Sequence, residues 1–144
     1  MQIKLPYKKK LNRFEDELQM QCIQWMDLAY PKFSSYLYAI PNGWNKTSVY
    51  LGAKFKKMGI RKGIPDLCLA IPTKKYHGLY IELKFGTGVL SDYQKYIKSI
   101  LEKVGYKVVA CWTIEEFMNE IKSYLTEDEI LLLNELLSSK PSNP

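Results

Sequence analysis

Apolar residues recur at helical spacing over residues 14–29, FEDELQMQCIQWMDLA, where Phe14, Leu18, Cys22, Trp25, Met26 and Ala29 fall on one face. That period predicts an amphipathic helix, which Pro31 ends. The segment YLYAI at 36–40 has the composition of a short strand, and PNGWNKT after it is turn chemistry. A basic helix is expected from Ser48 to Met58, stopped by Gly59 in the position just past its end. DLCLAI and LYIELKF, joined by PTKKYHG, then read as two strands of a hairpin. Ser91-x-x-Gln94 matches a capping box opening a helix lined by Tyr93, Ile97, Ile100, Leu101 and Val104 and closed by Gly105. YKVVACW is the next strand, and Thr113-x-x-Glu116 opens a helix to about Leu125.

The last element, TEDEILLLNELL, opens with Thr126-x-x-Glu129. It carries Ile130, Leu131, Leu132, Leu133, Leu136 and Leu137, a wider apolar surface than one core-facing stripe needs. The strand–helix–strand unit from 79 to 112 predicts a right-handed parallel crossover, so the expected fold is α/β, a small mixed β-sheet flanked by helices. Residues 1–12 read as a basic N-terminal arm, 13–125 as one domain, 126–138 as a helix packed on it or at a self-association interface, and 139–144 as a disordered tail.

Charge adds a partner class. Lys and Arg number 21 against 15 Asp and Glu, a net +6 over 144 residues, which favours a polyanion. Cys22, Cys68 and Cys111 are odd in number and far apart, with no CxxC and a single histidine. That spacing argues against a zinc site or a disulfide framework and for a reducing cytoplasm. The start lacks the apolar segment of a signal peptide, and no run approaches membrane-spanning length.

The chemistry concentrates where charges interrupt the strands, in GIPDL at 63–67 and IELK at 81–84. Side chains alternate along a strand, so Glu82 and Lys84 share a face with Tyr80, while Leu79, Ile81, Leu83 and Phe85 point the other way. A hairpin centred near Lys75 sets Asp66 opposite Lys84 and one diagonal step from Glu82. Two close carboxylates repel, and burial worsens the repulsion, so a cation must balance them. Lys84 is one candidate, which would make the cluster a buried salt-bridge network. A hard divalent ion such as Mg²⁺ is another, and it would polarise a phosphoryl oxygen and activate a water. Asp66 at the end of a turn and Glu-x-Lys as a solvated pair are the plain structural alternatives.

Taken in order, PNG (41–43), GIPDL, IELK, SDYQ (91–94) and GYKVV (105–109) resemble the virus-type replication-repair nuclease family, VRR-NUC, of the PD-(D/E)xK superfamily. The resemblance runs from the first helix to about residue 125. It implies a restriction-endonuclease-like core over residues 13–125 and Mg²⁺- or Mn²⁺-dependent cleavage of DNA. It assigns Asp66 and Glu82 as metal ligands, joined by a main-chain oxygen at Leu83, and Lys84 as the catalytic lysine. A first-helix glutamate completes the family's set. Glu15, Asp16 and Glu17 compete for that role; Glu15 shares the stripe of Leu18, Cys22 and Met26, and the family's spacing to a glutamine, here Gln19, also selects it. The resemblance gives Gln94 an active-site role, orienting the attacking water, in competition with the capping box that already accounts for it.

Lys46, Lys54, Lys56, Lys57, Arg61 and Lys62 precede the Pro-Asp, and Lys74 and Lys75 sit on the hairpin turn, where each could hold a phosphate or form a solvated face. Asn42 and Trp44 are candidates for backbone contact or base stacking. His77, at the turn, is assigned neither to metal nor to base. Stand-alone members of the family resemble phage enzymes, implying a homodimer that cuts four-way (Holliday) junctions. The alternatives are a nonspecific or flap-type nuclease in phage replication or repair, and a catalytically silent DNA-binding module.

Overall fold

A computed structural model describes the backbone of residues 7–41 and 49–138, with side chains from Arg13 onward. Asn42, Trp44 and Lys46, the first six residues and the tail from 139 lie outside the described residues.

Helix α1 spans Tyr7–Ala29 and begins within the stretch expected to be a basic arm. The Lys8–Lys10 run is made of good helix formers, and nothing in it breaks the helix before Phe14. A 3-10 turn at Ser34–Tyr36 leads into strand β1, Leu37–Ala39, and α2 spans Val49–Lys57. Strands β2 (Leu67–Leu69) and β3 (Leu79–Leu83) follow, then α3 (Asp92–Lys103), β4 (Lys107–Cys111), α4 (Ile114–Tyr124) and α5 (Glu127–Ser138). The sheet order is β1-β2-β3-β4, antiparallel except for the parallel pair β3–β4. The fold is therefore the expected mixed sheet flanked by helices.

One face of the sheet is the core. Leu67, Leu69, Leu79, Ile81, Leu83 and Cys111 meet Leu18, Cys22 and Met26 of α1 and Phe117, Ile121 and Tyr124 of α4, all buried. Trp25 sits edge-on against Phe117 with centroids 5.9 Å apart, locking α1 to α4. The Tyr124 hydroxyl donates to the Ile71 carbonyl at 2.6 Å, and burial pushes its pKa up to about 12. The other face carries Tyr80 and Glu82, with α3 lying over the β4 side.

Local chemistry sets the boundaries. Gly59, at φ +95°, donates to the Lys56 carbonyl, and Ile60 donates to Phe55, so α2 closes as expected. The capping box at Ser91 and Gln94 is formed in full. That at Thr113 is formed in half: Thr113 Oγ1 accepts from Glu116 N, but the Glu116 carboxylate accepts from Trp112 N. Glu129 likewise leaves its helix start and accepts from Lys74 N in the hairpin loop at 3.0 Å. The stripe expected to seat α3 is partly open, since Tyr93, Ile100 and Val104 are exposed. On α5 only Ile130 and Leu133 reach the core, leaving Leu131, Leu132, Leu136 and Leu137 exposed.

The hairpin register differs from expectation by one step. Leu67 pairs with Ile81 and Leu69 with Leu79, and continuing that register puts Asp66 directly opposite Glu82, not Lys84. The connection between the two strands closes internally: Thr73 N donates to Tyr76 O, and Thr73 Oγ1 accepts from the amides of Lys75 and Tyr76. This local turn centres the hairpin at Lys74.

Candidate active site

Strand alternation and the β2–β3 register bring Asp66 and Glu82 side by side on the face away from the core. Glu82 is the one charged residue among the described residues that is buried, at 6% exposure. Its Oε1 accepts from Lys84 Nζ at 3.1 Å and from Gln94 Nε2 at 2.5 Å. Desolvation, then the charge of Asp66, pushes its pKa up to about 7, and Lys84 pulls in the other direction. Asp66 Oδ2 accepts from Leu83 N at 2.8 Å. Its pKa is raised as well, by burial against the opposing pull of that amide and of Lys84.

Glu15 joins this pair from α1. Its pKa is raised by burial and by Asp66, while Lys84 and a hydrogen bond from the Phe85 amide lower it. The Phe14 ring stacks on Phe85 with centroids 4.4 Å apart and 14° between planes, fixing the helix at the end of β3. Of the three acids competing on α1, Glu15 is the one aimed inward. Glu17 pairs with Arg13 at the surface at 2.9 Å, and Asp16 is exposed, adding only longer-range repulsion. Gln19 is half-buried one turn further on.

Lys84 lies just past β3, held to β4 through its amide, which donates to the Cys111 carbonyl. Gln94 resolves the competition between capping and the site, because its amide does both. Oε1 accepts from Ser91 N at 2.9 Å and from Lys84 Nζ at 3.2 Å, leaving Nε2 for Glu82. One amide serves both purposes because its oxygen and nitrogen ends are separate groups, an acceptor and a donor. A small cavity lined by Pro65, Glu82, Leu90, Gln94, Lys98 and Val108 adjoins the carboxylate.

The basic residues divide. Lys62 reaches the Tyr93 ring, Nζ lying 6.0 Å from its centroid, one residue before Gln94. Arg61 Nη1 donates to the Lys56 carbonyl at 2.9 Å, ending α2, and Lys57 is exposed on that helix. Lys74 and Lys75 sit at the far end of the hairpin, the latter over the Tyr76 ring, and the structure does not bring them to the carboxylates. Residues that the sequence did not single out include Trp112, whose Nε1 donates to Gly88 O at 2.7 Å and ties down the loop after Lys84.

The donor set suits a hard cation: three carboxylates whose charged forms are all disfavoured by burial and crowding. As the side chains stand, no group of three or more His, Cys, Asp or Glu among the described residues is drawn together to hold a metal ion. Lys84 and Gln94 occupy Glu82 instead. No helix among the described residues is long and apolar enough to cross a membrane.

A search of curated proteins by sequence gave no match. A solved structure described as a VRR_NUC domain protein superposes with TM-score 0.66 at 32% identity, covering 77% of this chain and 87% of that one. The VRR-NUC domain profile matches residues 7–113, from α1 through β4 and so across Glu15, Asp66, Glu82, Lys84 and Gln94. The chain belongs to the VRR-NUC family and carries its nuclease domain.

Proposed function

We propose that this chain is a metal-dependent DNA endonuclease. The observation that carries the reading is the side-by-side pair of Asp66 and Glu82 with Lys84 on the Glu82 carboxylate, and Glu15 of α1 turned toward them. A Mg²⁺ or Mn²⁺ ion would be held by those carboxylates, with the Leu83 main-chain oxygen as a further ligand. Bound there, it would activate a water and neutralise charge on the phosphate. Asp66 is held toward that role by the Leu83 amide. Lys84, released from Glu82, is placed to stabilise charge developing on the phosphoryl oxygens or to orient the attacking water. Gln94 fixes Lys84 and Glu82 relative to the start of α3. Lys62 is placed to meet phosphate beside the site, with Arg61 and Lys57 nearby in the chain.

The substrate reading is branched DNA, such as a four-way junction cut by two copies of the chain. The exposed Leu131, Leu132, Leu136 and Leu137 of α5 support self-association. The test is cleavage of labelled four-way junction, flap, duplex and single strand with Mg²⁺, Mn²⁺ or EDTA, beside Glu82→Gln. Paired symmetric cuts in the junction, lost with EDTA and in the variant, are expected. Equal cutting of every substrate would overturn junction selectivity. Tight binding without cleavage in any metal would overturn the nuclease reading.

A further inference from the structure

The face of the sheet that carries Glu82 continues away from the carboxylates toward three tyrosine rings, two in one row and one in the next. Tyr38 of β1 pairs with Cys68 of β2, Cys68 with Tyr80 of β3, and Tyr80 with Val108 of β4, so their side chains share one face. That row is two residues from the row of Asp66 and Glu82, about 7 Å along the strands. The next row back holds Gly78, where a Cβ would come within 3.3 Å of the Tyr106 ring. The glycine thus lets that ring lie against the sheet. Tyr106 stands 5.3 Å from Tyr80 and 5.8 Å from His77, centroid to centroid. His77 in turn lies where a Cβ on Gly105 would clash at 2.4 Å.

Burial alone does not account for these rings. Tyr38 is 49% exposed and His77 is exposed, while Tyr80 and Tyr106 are half-buried. Tyr124 in the core is instead enclosed and hydrogen-bonded to backbone, whereas the Tyr38 and Tyr80 hydroxyls meet the Cys68 thiol that lies between them.

We propose that Tyr38, Tyr80 and Tyr106 form a stacking platform for unpaired nucleotides adjoining the scissile phosphate, so that a branched substrate is held with its bases unpaired beside the cut. The occupant is argued from continuity: a strand whose phosphate lies at the Glu82 row has its neighbouring nucleotides over the Tyr80 row, about one nucleotide's reach away. Charge agrees, since the chain is +6 and its ligand would be a polyanion. Aromatic faces bind any base without reading sequence. The proposal rests on the nuclease reading for placing DNA over the carboxylates.

The test uses the full chain in EDTA, where binding is measured without cleavage. The probes are a short single strand with 2-aminopurine at successive positions and a blunt duplex of the same sequence. The wild type is expected to quench 2-aminopurine at one or two adjacent positions. Tyr38→Leu should weaken single-strand binding by about 5- to 100-fold while leaving the duplex within a factor of about two. Tyr38→Phe, which keeps the ring, should bind like wild type. No quenching by wild type, an equal loss on the duplex, or equal losses for Phe and Leu would overturn the platform. A change in oligomeric state with Tyr38→Leu would also overturn it, assigning the face to a second copy. Cleavage is scored separately with Mg²⁺. Tyrosine-dependent binding without metal-dependent cutting defeats the nuclease reading alone, and cutting without quenching defeats the platform alone.

Discussion

Consider Glu82→Gln in the metal-free protein, followed by urea denaturation across pH. Glu82 has its pKa raised from 4.5 to about 7 in the fold, chiefly by desolvation and then by Asp66. A carboxyl raised in the folded state binds its proton more tightly there than in the unfolded chain. Its contribution to stability is therefore complete below the unfolded value and is lost as pH rises through the folded one. At 1.36 kcal/mol per pH unit separating the two values, ionising Glu82 costs the fold about 3 kcal/mol. Most of that is lost between about pH 5 and about pH 8.

Glutamine keeps the shape and removes the charge, so the variant lacks this loss. It also leaves Lys84, whose side chain is 13% exposed, without its carboxylate. That attraction exists only once Glu82 ionises, and it is already contained in the value of about 7, which Lys84 acts to lower, so it is not counted a second time. The prediction is that the difference between variant and wild type moves in favour of Glu82→Gln by about 2–3 kcal/mol on going from about pH 5 to about pH 8. Mg²⁺ should then raise the urea midpoint of the wild type at the higher pH and leave the variant unmoved, since only the wild type has the full carboxylate set. A pH-independent difference would refute the reasoning, because it would mean that Glu82 ionises in the fold as easily as in the unfolded chain.

Lys84→Ala should lower cleavage by about 100-fold or more while Mg²⁺-induced stabilisation persists, measured by single-turnover kinetics beside denaturation. Phe14→Ala removes the stack on Phe85 that sets Glu15; it should cost about 1–3 kcal/mol in urea and weaken Mg²⁺ binding by calorimetry. Phe117→Ala, fully buried between α1 and the sheet, should cost about 3–5 kcal/mol. Leu132→Glu with Leu136→Glu should leave stability within about 1 kcal/mol and shift any dimer to monomer by sedimentation.

Element order was legible because the helices carry their period or their caps and the strands are short β-rich apolar runs bounded by turn residues. The pairing of Asp66 with Glu82 was legible as a neighbourhood but not as a register. The turn from Pro72 to Gly78 is centred by hydrogen bonds to Thr73 Oγ1, and a side chain that could equally face solvent leaves no pattern in the sequence. The start of α1 was missed because a lysine run reads as an arm or as a helix with equal ease, and packing that selects between them is not local. Glu129 kept the spacing of a capping box and lost its geometry, because the Lys74 amide, far away in sequence, offered another donor. Glu15 was legible through its stripe with Leu18 and Cys22. The Phe14–Phe85 stack that fixes it joins residues too distant for any sequence period to show.

Gln94 shows why capping and chemistry need not compete at this site. Its Oε1 holds the Ser91 amide, so the amide plane is set by the first turn of α3 and not by Glu82. Its Nε2 is then left pointing at the carboxylate, and the same Oε1 also accepts from Lys84. A helix start thereby becomes a fixed reference for two site groups. Any motion of α3 relative to β3 must break the bonds from Gln94 to Glu82 and Lys84 or drag those groups with it. The two hydrogen bonds on the site side are also the ones that a cation arriving at Glu82 would have to displace or share, whereas the cap is untouched by it. Gln94→Glu separates the two duties: its carboxylate can still accept from Ser91 and Lys84, but ionised it repels Glu82. The helix should therefore keep its amide protection in hydrogen exchange while cleavage falls. Loss of protection in the first turn of α3 together with activity would mean that the cap itself depends on Glu82.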